Sequence, residues 1–557
     1  MLALGAVSQL LTIGACNRFS TAIDGVADPS RSESVHLVAE DVRTIIAQAA
    51  TEAQRSGLAV TIAVVDHQGV VLGVLQMAGA NPKTKLAGGG TGGFEGDERE
   101  GSAVFAAISK AGTGAFFSTQ GNAFSTRTAS YIVQEHFPPL VDPSPGGPLF
   151  GVQLSNLRCS DVDRGSGAHR ASSSNLPFGL AADPGGLPLY KDGVAVGGLG
   201  VEGDGIYTLD RAPLELPSVE EAIALAGARG FETPAAIRAD QIFVDGIRLV
   251  FARAEPPPMP ASVTPYATFA AAGKEIVPPS DGFESAFEAR TLGGVDGEVP
   301  ESFAKGFSSS NALGTDDVER ILGQGAVQAN RTRAAIRLPI GSNARVNIAV
   351  VDARGTLLGL FRTIDAPIFG FDVSVQKART AAFFSSTTAA STLSMNGLST
   401  YAQAAAADGL PLDGSTAYST RAIGFLSQPI YPPGAILPYA NGPFSEPIGT
   451  WSIFDTGLHT SLYRAPLGSS LTDAPCAGPG IRRLQNGITI FPGGVPLYKG
   501  TVLVGGVGVS GDGVDQDDLI TVAASLGFEA PIMMRCDQLT VRGAALPYSV
   551  SPRHPDL

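Results

Sequence analysis

Two glycine-rich runs carry the most suggestive spacing in this chain. Gly198-Leu199-Gly200-Val201-Glu202-Gly203 and Gly506-Val507-Gly508-Val509-Ser510-Gly511 both fit GxGxxG. In a dinucleotide site that turn follows a parallel strand and opens a helix, so that its N–H groups meet pyrophosphate. Here valines alternate with the glycines, and Gly-Asp-Gly follows before any helix signal. The glycines are therefore expected within or at the end of a strand, where they allow close backbone approach. A second group is acidic: Asp512, Asp515, Asp517 and Asp518. It lacks the spacing of an EF-hand loop. It reads either as acids favoured at a helix N-terminus or as a weak divalent-metal site. The matching region upstream has Asp204, Asp210, Glu220 and Glu221. Cations form a third group. Arg127 and Arg421 end the segments Phe124-Ser125-Thr126-Arg127 and Tyr418-Ser419-Thr420-Arg421, and Lys191 and Lys499 end two Leu-Tyr-Lys segments. Such cations either clamp a ligand carboxylate beside a pocket or pair locally and hold loops. No Ser/His/Asp or Cys/His set recurs, so hydrolytic catalysis has no support.

The remaining reactive residues are few. The histidines are His36, His67, His136, His169, His459 and His554. His36 precedes the first helix, His67 sits in a hairpin turn where solvation is expected, and His136 precedes Phe137-Pro138-Pro139. The cysteines are Cys16, Cys159, Cys476 and Cys536, with no CxxC or CxxCH among them. A zinc ribbon and covalent c-type haem are therefore unsupported. Met1 to Ile13 is almost wholly apolar, and Ile13-Gly14-Ala15-Cys16 resembles a bacterial lipobox. That predicts a signal peptide over 1–16, lipidation of Cys16, and a periplasmic or cell-surface protein held to the membrane by that anchor alone. No Lys or Arg precedes the apolar run, as a signal peptide should have. The other reading is a short core helix with a chance cysteine. With Cys16 lipidated, Cys159 and Cys476 are the favoured disulfide pair. No later stretch is apolar enough for a second span. The chain has 38 basic and 52 acidic residues, a net charge of -14, which argues against phosphate-driven nucleic-acid binding.

The elements that must position these residues occur twice. Thr61-Ile62-Ala63-Val64-Val65-Asp66 and Gly69-Val70-Val71-Leu72-Gly73 match Asn347-Ile348-Ala349-Val350-Val351-Asp352 and Gly355-Thr356-Leu357-Leu358-Gly359. The Ser-Thr-Arg, Leu-Tyr-Lys, glycine-rich and Gly-Phe-Glu segments follow in the same order in each half. Such collinear matches mean tandem domains. Each copy reads as a helix, a β-hairpin, a second helix (Ala103 to Phe117; Val373 to Phe384), a long Pro/Ser/Gly-rich insertion, two strands and a last helix. An antiparallel sheet packed with helices is expected, an α+β arrangement. The domains are expected at 33–254 and 314–550, with a Pro-rich linker over 255–313. The insertions, roughly 136–182 and 425–490, are long enough to be functional or to form an interface.

At three motifs the sequence resembles the GlcG/HbpS family of haem-binding or haem-degrading-type domains. They are TIAVVDHQGVVLGVLQMAGA, the helix Lys377-Ala378-Arg379-Thr380-Ala381-Ala382-Phe383, and GGVPLYKGTVLVGGVGVSGDGVDQDD. The resemblance covers about 36 to 250 and 315 to 545. It implies a profilin-like fold, a tendency to homo-oligomerise, and for some members export or haem binding. The first copy departs from the helix motif, reading Lys110-Ala111-Gly112-Thr113. Haem iron takes an axial ligand, most often His, Met, Cys or Tyr, in an apolar pocket. On that basis His36 and then His136 are the candidate ligands, with Arg127, Arg421, Lys191 and Lys499 as candidate partners for propionates. The second copy has no histidine at these places. The resemblance thus implies a haem- or small-ligand-binding protein. The alternatives are a structural or interaction module without ligand, and a haem-dependent redox or haem-degrading enzyme.

Overall fold

The computed structural model describes residues 35–87, 100–134, 136–139, 141, 146–150, 176–208, 216–282, 287–433, 440–447, 457–462, 481–484 and 487–552. In the first copy, α1 (Ala39–Ser56) has Val42, Ile45, Ile46, Ala49 and Ala53 buried along one face. The chain then turns through a left-handed Gly57 at the helix end (φ 71°). The hairpin β1 (Thr61–Asp66) and β2 (Val71–Gln76) follows, then β3 (Lys83–Ala87) and β4 (Glu100–Ser102). Next come α2 (Ala103–Phe116) and α3 (Thr126–Ile132), then β5 (Gly186–Lys191), β6 (Val194–Glu202), β7 (Ile206–Thr208) and α4 (Val219–Gly227). A small hairpin, β8 (Phe243–Val244) and β9 (Ile247–Arg248), closes the copy.

The expected linker is structured and belongs to both domains. Its α5 (Tyr266–Ala272) leads into β10 (Lys274–Val277), which pairs with β2 and completes a five-stranded antiparallel sheet in the order β10-β2-β1-β6-β5. Its β11 (Phe287–Leu292) and β12 (Val295–Pro300) join the second sheet instead. The boundary between the sheets therefore falls between Val277 and Phe287. Proline punctuation signalled irregular chain, but two unpaired sheet edges were there to be covered.

The second copy repeats the plan: α6 (Thr315–Ala329), β13 (Val346–Asp352), β14 (Leu357–Thr363) and α7 (Gly370–Phe384). The short helices α8 (Ala389–Met395), α9 (Ser399–Ala407), α10 (Thr420–Leu426) and α11 (Gly457–Leu462) follow. Then come β15 (Gly494–Lys499), β16 (Val502–Gly511), α12 (Val514–Ala524) and a last hairpin, β17 (Thr540–Val541) and β18 (Ala544–Ala545). Its sheet runs β11-β12-β14-β13-β16-β15. The duplication extends to register. β1 and β13 slip at Val64/Val65 and Val350/Val351, and β5 and β15 slip at Leu189/Tyr190 and Leu497/Tyr498.

The glycine-rich runs are strand residues of β6 and β16, as their alternation with valine predicts. A Cβ at Gly198 or Gly200 would fall on the carbonyl oxygens of Ala111 or Ala107, and one at Gly506 or Gly508 on those of Ala378 or Ser374. The second helix of each copy thus lies directly against the sheet backbone. No helix among the described residues is long and apolar enough to cross a membrane.

The two domains dock through a short turn in the first. The Gln120 N–H donates to the Asp365 carboxylate at 3.1 Å, and the Leu338 N–H donates to the Gly121 carbonyl at 2.8 Å. Arg337 lies over Gly121 and ties Asp365 to Asp512, at 2.6 Å to each. Beside this polar seam the Phe117 and Phe369 rings pack with centroids 4.7 Å apart.

Candidate functional site

Each copy buries one lysine on its second helix, against the glycine-rich strand. Lys110 Nζ lies 2.7 Å from Asp183, 2.8 Å from Glu202 and 2.7 Å from Glu220, and donates to the Val201 carbonyl at 3.0 Å. Lys377 Nζ donates to the Val509 carbonyl at 2.7 Å and to Asp517 at 2.8 Å. Phe491 and Ser510 stand where the first copy has Asp183 and Glu202. The first copy therefore surrounds its ammonium with three carboxylates, and the second offers Asp517.

Low dielectric makes this difference consequential. Burial pushes Glu220 up; Lys110 pulls it down and Glu202 pushes it further, leaving it at about 8. Asp183 rises well above the usual carboxylate range, again chiefly through burial. Burial opposes the Lys110 charge, but the three acids outweigh it and hold the ammonium well above its ordinary range. In the second copy, burial raises Asp517 to about 6 against the pull of Lys377. Asp183, Glu202 and Glu220 have oxygens close enough together to hold a metal ion. The Lys110 ammonium stands where such a cation would sit, so the three carboxylates already hold one positive charge.

The four cations singled out in the sequence are engaged in ion pairs that staple each domain. Arg127 Nε lies 3.1 Å from Glu221, tying α3 to α4, and Arg421 binds Asp518 and Asp515, tying α10 to α12. Lys191 meets Asp41 at 2.8 Å and Lys499 meets Asp317 at 2.9 Å, each joining a strand end to the first turn of the first helix. Of the two readings open for these residues, local pairing is the arrangement observed. Asp512, Asp515, Asp517 and Asp518 resolve in the same way: all four face Arg337, Arg421 or Lys377.

The histidines are dispersed. His36 is half-buried ahead of α1, with Nδ1 buried and lacking a hydrogen-bond partner. His136 is half-buried after α3. His67 is not the solvated turn residue its position suggested. Its Nε2 lies 3.1 Å from the Ser118 carbonyl, and burial lowers its pKa, aided by Arg362 of the other domain. His459 is buried on α11. Cys536 is buried with a free thiol. His169, His554, Cys16, Cys159 and Cys476 lie outside the described residues, and with them the lipidation and disulfide expectations.

A cavity of about 790 Å³ lies between the two domains, within the range of about 300–1,000 Å³ usual for small-molecule sites. The first domain supplies Phe117, Phe124, Ile132, Leu149 and Leu249, together with Phe243 and Asp245 of the β8–β9 hairpin. The second supplies Ile336, Phe369, Val373 and Phe491, and a polar wall of Lys377, Ser510, Asp515, Gln516 and Asp517. His36, His136, Arg127, Arg421, Lys191 and Lys499 are not part of this lining. No signal in the sequence singled out the cavity, because its two walls come from different domains. Lys110 and Lys377 did carry one: a lysine at the same place in the second helix of each copy.

The copies differ in what covers the buried lysine. In the first, the Phe178 N–H bonds Ser109, next to Lys110, at 2.8 Å. The Phe178 ring packs on Phe105 and on Tyr207 of β7, with centroids 5.9 and 5.3 Å apart. In the second, Phe491 and Ser510 replace acids, and the lysine wall faces the cavity.

Haem would require a wide apolar slot and, in most haem proteins, an axial ligand. The apolar walls fit a planar ring system. The described lining contains no His, Cys, Met or Tyr, so it does not fit iron ligation of the usual kinds.

Residues 322–423 and 454–525 match the family model described as "Haem degrading protein HbpS-like". Both segments belong to the second copy, the first ending before its insertion and the second beginning within it. No curated protein matches the chain. Among solved structures, the chain is similar to a PduOC:haem complex (18% identity, 40% of this chain and 97% of that chain, TM-score 0.21). It is also similar to the Klebsiella pneumoniae protein ORFY (20% identity, 39% and 91%, TM-score 0.20) and to HbpS (19% identity, 36% and 95%, TM-score 0.20).

Proposed function

The chain carries a GlcG/HbpS-family domain, and from that premise we propose that it binds a planar, mainly apolar small molecule, non-covalently, in the cavity between its two domains. Haem is the candidate that the family supplies. The observation that carries the reading is the cavity itself: about 790 Å³, walled by Phe117, Phe124, Phe369 and Phe491, with one polar side. Aromatic faces at this density favour stacking on a flat ligand. Phe117, Phe124, Phe369 and Phe491 would hold a tetrapyrrole through its ring faces, and the described lining would offer its iron no ligand of the usual kinds.

Titration of the full chain with haemin and with iron-free protoporphyrin tests it. Both are expected to bind saturably at one site per chain and with similar affinity, because the ring and not the metal is recognised. Val373→Trp, which fills the cavity from α7, is expected to weaken both by about ten-fold or more. No binding of either, or binding that Val373→Trp leaves unchanged, overturns the proposal. Export with lipidation of Cys16 is a separate proposal from the lipobox-like sequence, tested by the mass of the mature N-terminal peptide.

A further inference from the structure

The polar wall of the cavity says which ligands it prefers. Asp517 lines it and is only 3% exposed. Its Oδ2 takes the Lys377 ammonium, while its buried Oδ1 makes no hydrogen bond of ordinary geometry, the Gly511 N–H being the backbone donor that acts on this carboxylate. An unpartnered carboxylate oxygen in such a place costs free energy unless a donor reaches it. Asp515 and Asp245 line the cavity as well. Against these three carboxylates the lining sets one ammonium, Lys377, which is already bonded to Asp517 and to the Val509 carbonyl. Arg421 partners Asp515 from outside the lining. Among the described residues, the wall therefore has acceptor capacity left and no free cation.

Resting on the proposed ligand site, we infer that this cavity selects planar apolar molecules bearing a hydrogen-bond donor, an aromatic amine or an N–H ring edge, presented to Asp517, and discriminates against molecules bearing carboxylates. A carboxylate entering here meets like charge in a low-dielectric space and finds Lys377 taken. That preference ranks haem, with its two propionates, below an amine-bearing ring system of similar face area.

Two probes of nearly equal shape test the inference on the full chain: 1-aminoanthracene and anthracene-1-carboxylate, both followed by their own fluorescence at pH 7.5. The amine is expected to bind at least about ten-fold more tightly. Val373→Trp and Phe243→Glu are measured beside the wild type. The second variant alters the cavity mouth at a side chain that is 59% exposed, so its folding is not at issue. Amine preference in the wild type, together with amine binding that both variants weaken, supports the inference. Equal affinities that both variants weaken overturn the donor preference and leave the ligand site standing. Binding that neither variant changes, or no binding of either probe, overturns the site and the inference with it.

Discussion

The lysines show how one residue in the same fold position is given two different tasks. Lys110 is surrounded by Asp183, Glu202 and Glu220, all buried, so the first copy stores excess negative charge that it partly neutralises with protons. The sign of the resulting pH dependence follows. An unfolded glutamate titrates near ~4.3, whereas folded Glu220 holds its proton up to about 8. Between those values the folded chain binds more protons than the unfolded one. This contribution to stability is fully present at acid pH and is lost as pH rises through about 8. Asp517 adds a smaller effect of the same sign ending near pH 6. The melting temperature of the wild type is thus expected to fall between pH 5.5 and 8.5. Glu202→Gln removes one of the three charges and is expected to flatten that fall; an unchanged slope in thermal melts at the two pH values would count against the cluster's role. Little of this was legible in the sequence. Glu220 lies 110 residues from Lys110, and nothing local marks it as the partner.

At the scale of elements much more was legible, because strand and helix periods are local properties. The valine-glycine alternation predicts β6 and β16, and the structure gives the reason for the glycines: α2 and α7 lie on the strand backbone with no room for a methyl group. Gly200→Ala and Gly508→Ala must each push a helix off its sheet. Each is expected to cost about 1–3 kcal/mol, the usual range for overpacking, and to lower the melting temperature without altering net charge. A variant melting with the wild type would contradict the close approach. What the periodicity missed were the edges. β10, β11 and β12 come from a segment whose prolines and low apolar content signal a linker, yet they pair with sheets whose hydrogen-bonding edges were otherwise unfilled. Edge pairing uses backbone groups and leaves only a faint pattern in side chains. The cation pairs were half legible: recurrence at Arg127/Arg421 and Lys191/Lys499 marked the positions, but their carboxylate partners settle that they are staples.

For the whole molecule, the inter-domain cavity lies where the two copies have diverged. The first copy passes from Thr119 to Ala123 in a tight turn, and onto that turn the second domain docks through Leu338, Arg337 and Asp365. At the same place the second copy carries α8 and α9, whose Leu393, Ala402 and Ala405 are buried. That surface is filled by its own chain, so the docking arrangement of the first copy has no counterpart there. Gly121 is the position on which the seam turns, since a Cβ there would meet the Arg337 side chain. Gly121→Val is expected to loosen docking without touching either hydrophobic core. Probe binding in the cavity should then fall by at least about ten-fold, and thermal unfolding should separate into two transitions, because two domains released from each other melt independently. Ser415, the matching residue of the second copy, is exposed and lies away from the seam. Ser415→Val should therefore leave both binding and cooperativity as they are. If both variants bind like the wild type, the cavity does not depend on docking. If both fail alike, the effect belongs to the turn itself and not to the seam.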